Sequence, residues 1–255
     1  MSQPMFSFVL EDVLSALLKH IDSYIRFPQC AHLPTVKADF YDVAHIPHVT
    51  GVMDGTHIAL IAPRINKQVL RNQKNYHSIN VQVVCLADQY ISQVTANFPG
   101  SVHDYHILRN SNVSRMMAQL QSERAWIIGD SGYPNLSWLL TPVRYPRSEG
   151  KNLYNEAHGR TRRVTERMIG LLKAKFRCLQ ISGGSLLYSP KKVCQIVVAC
   201  CMLHNLSLRR HVPLLEEEEV ATVVVADEGA NDSDEDHDDE DDVHSRTQLI
   251  LQYFQ

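Results

Sequence analysis

Apolar positions along this chain follow three regimes, each predicting a different kind of element. Between residues 6 and 26, Leu10, Val13, Leu14, Leu17, Leu18, Ile21 and Ile25 recur at three- and four-residue spacing, the period of an amphipathic helix. From Pro28 to Pro47 three prolines interrupt the chain, which reads as a connector with extended pieces. The period then drops to two. His48–Ala62, Ser78–Ala87 and Gln89–Asn97 alternate or run apolar, with a hairpin turn at Ala87-Asp88-Gln89, so three sequential antiparallel strands are expected. Ser101 is expected to cap a helix over His103–Asn110, 113–123 to continue as helix, and Ala125–Gly129 to form a short strand ending at Asp130. Helical spacing returns over Glu156–Arg177, with Val164, Met168, Leu171, Leu172 and Phe176 as its apolar stripe, and Pro190 opens a last helix to about Leu208. The order predicts a mixed α/β domain with one central sheet.

At 255 residues and 44% hydrophobic, the chain is long and apolar enough to bury a substantial core. Its net charge of −3 conceals a division. Residues 213–255 hold 15 Asp and Glu against Arg246 alone, a net of −14, which leaves residues 1–212 at +11. A basic body attracts polyanions such as nucleic acid, and an acidic segment competes for the same surface. Like charges over 214–242 repel and bury little, so disorder is expected there, whereas Thr247–Phe254 is apolar enough to dock. The six cysteines contain no CxxC pair, which argues against a disulfide framework or zinc finger. The longest uncharged, mostly apolar run, Val193–Leu203, has 11 residues, so no membrane span is expected; with no basic run before Glu11 and Asp12, neither is a secretory signal. A reducing intracellular compartment follows.

Four acids stand at the ends of expected elements: Asp54, Asp104, Asp130 and Glu166. Acids beside apolar strands are costly to bury without a positive partner, and a divalent cation supplies one. Two such ions roughly 3.5–4 Å apart suit phosphodiester hydrolysis. Turn or cap roles remain open for Asp54, before Gly55, and for Asp104 at a helix start, and Glu166 can pair with Arg162 at i,i+4. Arg160, Arg162, Arg163, Arg167, Lys173, Lys175 and Arg177 place seven positive charges in 18 residues of the helix that carries Glu166, and a phosphate-binding face is preferred over plain solvated surface. His57, His103, His106 and His158 read as hydrogen-bonding supports, and Cys200-Cys201 with His204 as core.

The segments Gly51-Val-Met-Asp54-Gly-Thr-His-Ile58, Phe98-Pro-Gly-Ser-Val-His-Asp104-Tyr-His-Ile-Leu-Arg-Asn-Ser111, Gly129-Asp130-Ser-Gly-Tyr-Pro134, Tyr154-Asn-Glu-Ala-His158 and Arg163-Val-Thr-Glu166-Arg-Met-Ile-Gly-Leu-Leu-Lys173-Ala-Lys-Phe176 resemble the DDE endonuclease domain of PIF/Harbinger transposases, most closely the harbinger-transposase-derived nucleases of animals. The resemblance covers about residues 40–210. It implies an RNase H-like fold, a central mixed sheet flanked by helices, a Mg²⁺- or Mn²⁺-dependent nuclease site and a DNA substrate. It places Asp54, Asp130 and Glu166 in the catalytic triad, Asp130 and Glu166 being separated by the 35 residues typical of many DDE enzymes, and Asp104 as a fourth metal-shell acid. Arg160, Arg162, Arg163, Arg167, Lys173 and Lys175 are the expected nucleic-acid contacts. The chain divides into an N-terminal helix and connector (1–40), the endonuclease domain (41–212) and an acidic segment (213–255). Family members carry a further helical region before the first catalytic strand; about 50 residues precede it here, so an N-terminally shortened form is expected. The resemblance also implies work in the nucleus, with the cytoplasm as a second compartment, beside a Myb/SANT-like nuclear protein that supplies import and DNA recognition. The competing function is a catalytically silent, domesticated DNA-binding or scaffold protein acting through that partner.

Overall fold

In the computed structural model, which describes residues 3–63, 67–212 and 240–255, the period-two segments become strands within three residues of expectation at each end. They are β1 (Val49–Ala59), β2 (Ser78–Cys85) and β3 (Ile91–Pro99). The apolar run before Asp130 is β4 (Trp126–Ile128), and an unforeseen two-residue strand, β5 (Leu139–Leu140), completes a five-stranded sheet in the order β3-β2-β1-β4-β5. The first three strands are antiparallel; β4 runs parallel to β1, and β5 parallel to β4. Both faces of the sheet are covered, which is why every residue of β2 is buried. Alternation sends Val52, Val83 and Ile128 into one core cluster and Met53, Val84 and Ile127 into the other. This mixed α/β architecture is the RNase H-like arrangement expected of a DDE endonuclease.

The helices are α1 (Gln3–Leu18), α2 (Ile21–Tyr24), α3 (Leu33–Ala44), α4 (Asp104–Asn110), α5 (Val113–Gln119), α6 (Glu149–Lys175), α7 (Pro190–Arg209) and α8 (Glu240–Tyr253). The first core cluster packs against α1, α3, α6 and α7, and α4 and α5 close the second. Expectation and structure differ at several places. The helix over 6–26 is broken at Lys19 and His20 into α1 and α2. The proposed connector contains α3: Leu33, Val36, Phe40 and Ala44 are buried at helical spacing, and Pro34 sits in the first turn, where its missing N–H has no intrahelical acceptor to lose. His103, not Ser101, precedes the first residue of α4, and it makes no side-chain cap. α6 begins seven residues early, capped by Ser148, which accepts from the Lys151 N–H. Its first half buries Tyr154, Ala157, His158, Thr161 and Thr165, a face too polar for a hydrophobic pattern to register.

The acidic segment expected to be disordered falls mostly on residues outside those described; from Glu240 the chain is helical. The expected docking of the terminal apolar residues has a definite form. Leu249 and Ile250 of α8 are buried in the first core cluster, and the Phe254 ring meets Tyr154 of α6 edge-on at 5.8 Å. Arg246 donates to Thr141 O, Thr141 Oγ1 and Pro142 O at 3.0–3.3 Å, joining α8 to the segment after β5. The closest backbone approach falls at Gly150, where any Cβ would collide with the carbonyl oxygen of Phe254.

Candidate active site

The topology itself brings two of the four acids together. β1 and β4 are parallel neighbours with Val52 opposite Ile128, and Asp54 and Asp130 each lie two residues further on. Both carboxylates therefore emerge at the same level from adjacent strands. Asp104 reaches them from the first turn of α4 and lies over Gly55: a Cβ on Gly55 would stand 2.7 Å from Asp104 Oδ2. The Asp54-Gly55 pair, which alone could be turn chemistry, thus lies within a continuous strand, and its glycine leaves room for a third carboxylate. Glu166 comes from α6, which packs against β1, β2 and β4.

Each strand and turn carboxylate is held by donors. The Gly55 N–H donates to Asp54 Oδ1 at 2.8 Å, the Gly132 N–H to Asp130 Oδ1 at 3.0 Å, and Asn80 Nδ2 to Asp104 Oδ1 at 2.8 Å. Asn80 is fixed in turn by its bond to Val102 O at 2.9 Å. Burial, and then the charge of Asp130, pushes Asp54 up to about 8, against the opposing pull of Arg162. Burial also pushes Asp104 up to about 6, with Asp130 adding and the Asn80 bond subtracting. Asp130 is raised by burial as well, opposed first by Arg162 and then by the Gly132 N–H. Tyr133, bonded to Gln82 Nε2 at 3.3 Å, is held far above the usual phenol range by burial and by the three nearby aspartates.

The cation balancing this cluster is Arg162. Its guanidinium lies 2.9 Å from Glu166 Oε1 and 3.8 Å from Asp54 Oδ2, so it ties the helix acid to the strand acid. The structure thereby gathers Asp54, Asp104 and Asp130 and links Glu166 to them through an arginine. Among the described residues no three His, Cys, Asp or Glu side chains form a ready-made metal cage. The donors themselves are hard carboxylate oxygens, the ligands Mg²⁺ and Mn²⁺ take, and they are buried with less positive charge than they need. On chemistry, the set fits a divalent ion.

The other site residues separate by position. Arg160, Arg163 and Arg167 are exposed along one edge of α6. Lys173 is only 2% exposed, and Lys175 donates to Ser207 Oγ at 2.7 Å, so these two charges do not belong to that outer edge; Arg162 faces the acids. The histidines act locally. His57 Nδ1 is bonded to Ser78 Oγ at 3.0 Å, buried His158 to Leu140 O at 3.2 Å, and the His106 ring meets Phe98 edge-on. His57, Asn80 and His103 line one cleft with Asp104 and Asp130. Burial lowers His158 to about 4, so it is neutral when it makes that bond. Cys200 and Cys201 are core, and His204 donates to Gln89 O at 3.0 Å. Sequence reasoning missed Asn80, Tyr133 and the inward turn of Arg162. For Arg162 the signal was present, since it stands one helical turn before Glu166.

A family model described as "DDE superfamily endonuclease" matches residues 53–205. The chain is similar to "Putative nuclease HARBI1" of Rattus norvegicus, 34% identical over 254 residues covering 99% of this chain and 72% of the rat protein. It is 37% identical to the Homo sapiens protein of the same name over 208 residues, 81% of this chain and 60% of that one. A plant relative, "Protein ALP1-like" of Arabidopsis thaliana, is 29% identical over 206 residues, covering 74% of this chain and 50% of the relative. No solved structure matches the chain.

Proposed function

The chain belongs to the DDE superfamily endonucleases, and on that premise we propose that it is a transposase-derived, divalent-metal-dependent DNA nuclease. The observation that carries the reading is the convergence of Asp54, Asp104 and Asp130 from β1, α4 and the end of β4, with Glu166 tied in through Arg162. Asp54, Asp130, Glu166 and Asp104 are the side chains that would hold Mg²⁺ or Mn²⁺. When bound, such ions activate water and stabilise the departing oxygen of a phosphodiester. The chain's own contribution is positioning. The Gly55 and Gly132 N–H groups and the Asn80 amide each hold one carboxylate oxygen and fix the direction of the other. The arginine edge of α6, Arg160, Arg163 and Arg167, supplies positive charge for the DNA backbone beside the acids.

The test is nicking of supercoiled duplex DNA. Strand cleavage that requires Mg²⁺ or Mn²⁺ and is lost in Asp54→Ala supports the nuclease. Binding of DNA without cleavage, unchanged in Asp54→Ala, supports a silent DNA-binding protein instead. Arg162 favours that second reading to one degree, because a purely structural site also needs a cation between Asp54 and Glu166. The family resemblance further supports nuclear work beside a Myb/SANT-like protein. Nuclear accumulation in cells lacking any such protein would contradict that part.

A further inference from the structure

Arg162 is unusual among the basic residues of α6. Its neighbour Arg163 and the nearby Arg160 are exposed, whereas the Arg162 guanidinium reaches across to two carboxylates on different elements. Its Nε is buried and, among the described residues, finds no acceptor. An arginine selected purely as a structural bridge would be expected to satisfy its buried N–H. Arg162 makes its charge available to Asp54, Asp130 and Glu166 and leaves one donor unused. It also makes only a long contact, 3.8 Å, with Asp54, the more deeply buried of its two partners. The contact is held by charge more than by directed hydrogen bonding, and another cation can replace it.

We propose that Arg162 is a resident counter-ion of the acid cluster, one that releases Asp54 and Glu166 when a divalent cation binds and so competes with that cation for the site. The inference rests on the metal-dependent reading above and adds a regulatory property to it. In the ion-free protein the guanidinium offsets part of the repulsion among the acids and keeps α6 drawn toward the strand ends. The same contact weakens ion binding, because the arginine must first be displaced, and it sets the ion concentration at which the site fills.

The test compares wild type, Arg162→Gln and Arg163→Gln, which remove the same formal charge from adjacent positions of one helix. Mn²⁺ affinity is read by titration calorimetry. Arg162→Gln is expected to bind Mn²⁺ about tenfold more tightly, ~1.4 kcal/mol. Arg163→Gln should also tighten it, but by less than about twofold, since an exposed charge is screened. A second measurement needs only the wild type: in a Mg²⁺ titration followed by NMR, the Arg162 Nε–H resonance should shift and its hydrogen exchange quicken as the side chain leaves its pocket. That measurement decides the matter even if Arg162→Gln fails to fold. Ion binding by wild type with this resonance unmoved, or equal affinity in both variants, overturns the inference and leaves the nuclease reading standing. Absence of ion binding in all three proteins overturns the nuclease reading, and the inference falls with it.

Discussion

Two regions flanking α6 hold arginines in opposite ways, one in the segment before the helix and one at its middle. In the first, Arg246 of α8 is 8% exposed and donates to two carbonyl oxygens and one hydroxyl, none of which titrates. Further along, Arg162 faces carboxylates that burial has already pushed toward protonation. The first region is a clamp: three neutral oxygens accept from the guanidinium, and Leu249, Ile250 and Phe254 of the same segment pack into the first core cluster. The second is a cleft in which like charges lie close together and one cation compensates them in part. A clamp gains stability from every contact it makes, whereas the cleft holds charge that a ligand can satisfy better than the protein does.

Removing the clamp's arginine should have the largest effect. Arg246→Ala removes three hydrogen bonds, leaving Thr141 O only its bond from the Tyr154 hydroxyl, and should lower unfolding free energy by about 3 kcal/mol, measured by denaturant titration, without changing Mn²⁺ affinity. A matching loss of ion binding would show that the clamp and the cleft are one unit.

The second prediction separates the regions by pH. Asp54 ionises near 3.8 when unfolded and near 8 when folded, so above pH 3.8 the folded state holds the extra proton and stability falls as pH rises toward 8. His158 and His204, ordinarily near 6.5 but lowered to about 4, act oppositely below pH 6.5. From pH 6.5 to 8 the ion-free protein should therefore lose about 2 kcal/mol. Asp54→Asn or saturating Mg²⁺ should flatten that slope. A slope that persists unchanged in Asp54→Asn would remove Asp54 as its source.

A smaller effect is expected at Gly55. A methyl group there would press on Asp104 Oδ2, so Gly55→Ala should cost about 1–2 kcal/mol and lose most of the melting-temperature increase expected of the wild type in Mg²⁺. Smallest of all, Arg163→Gln should change stability by less than about 0.5 kcal/mol, because the side chain is exposed. It should still weaken DNA binding at low salt, and an unchanged affinity would remove Arg163 from the DNA face.

How much of this could be read in the sequence follows the same division. Strands β1 to β4 were legible because Val, Ile and Cys alternate or run unbroken over a length that only a buried strand uses. The helix α3 was hidden by the weight given to Pro34, a residue compatible with a first helical turn. The start of α6 was hidden because Tyr154, His158, Thr161 and Thr165 are buried through hydrogen bonds as well as packing. The four acids stood out through their motifs and their places in or beside apolar elements, although Asp54 lies inside β1 and Glu166 inside α6 rather than at an end. Their supports did not, since Asn80 looks like any polar residue on a strand until Val102 and Asp104 are folded beside it. Arg162 was legible as the i,i+4 partner of Glu166, but its reach across to Asp54 on β1 was not, since nothing local says that the helix lies beside that strand.

The central claim is that the cleft is a divalent-metal site filled at the expense of Arg162. Crystals of the protein soaked in Mn²⁺ test it most directly through anomalous scattering. The account predicts an anomalous peak coordinated by Asp54 and Asp130, with the Arg162 guanidinium withdrawn from Asp54 and Glu166. A well-ordered cleft without such a peak at millimolar Mn²⁺, with Arg162 still bridging the two acids, would contradict it.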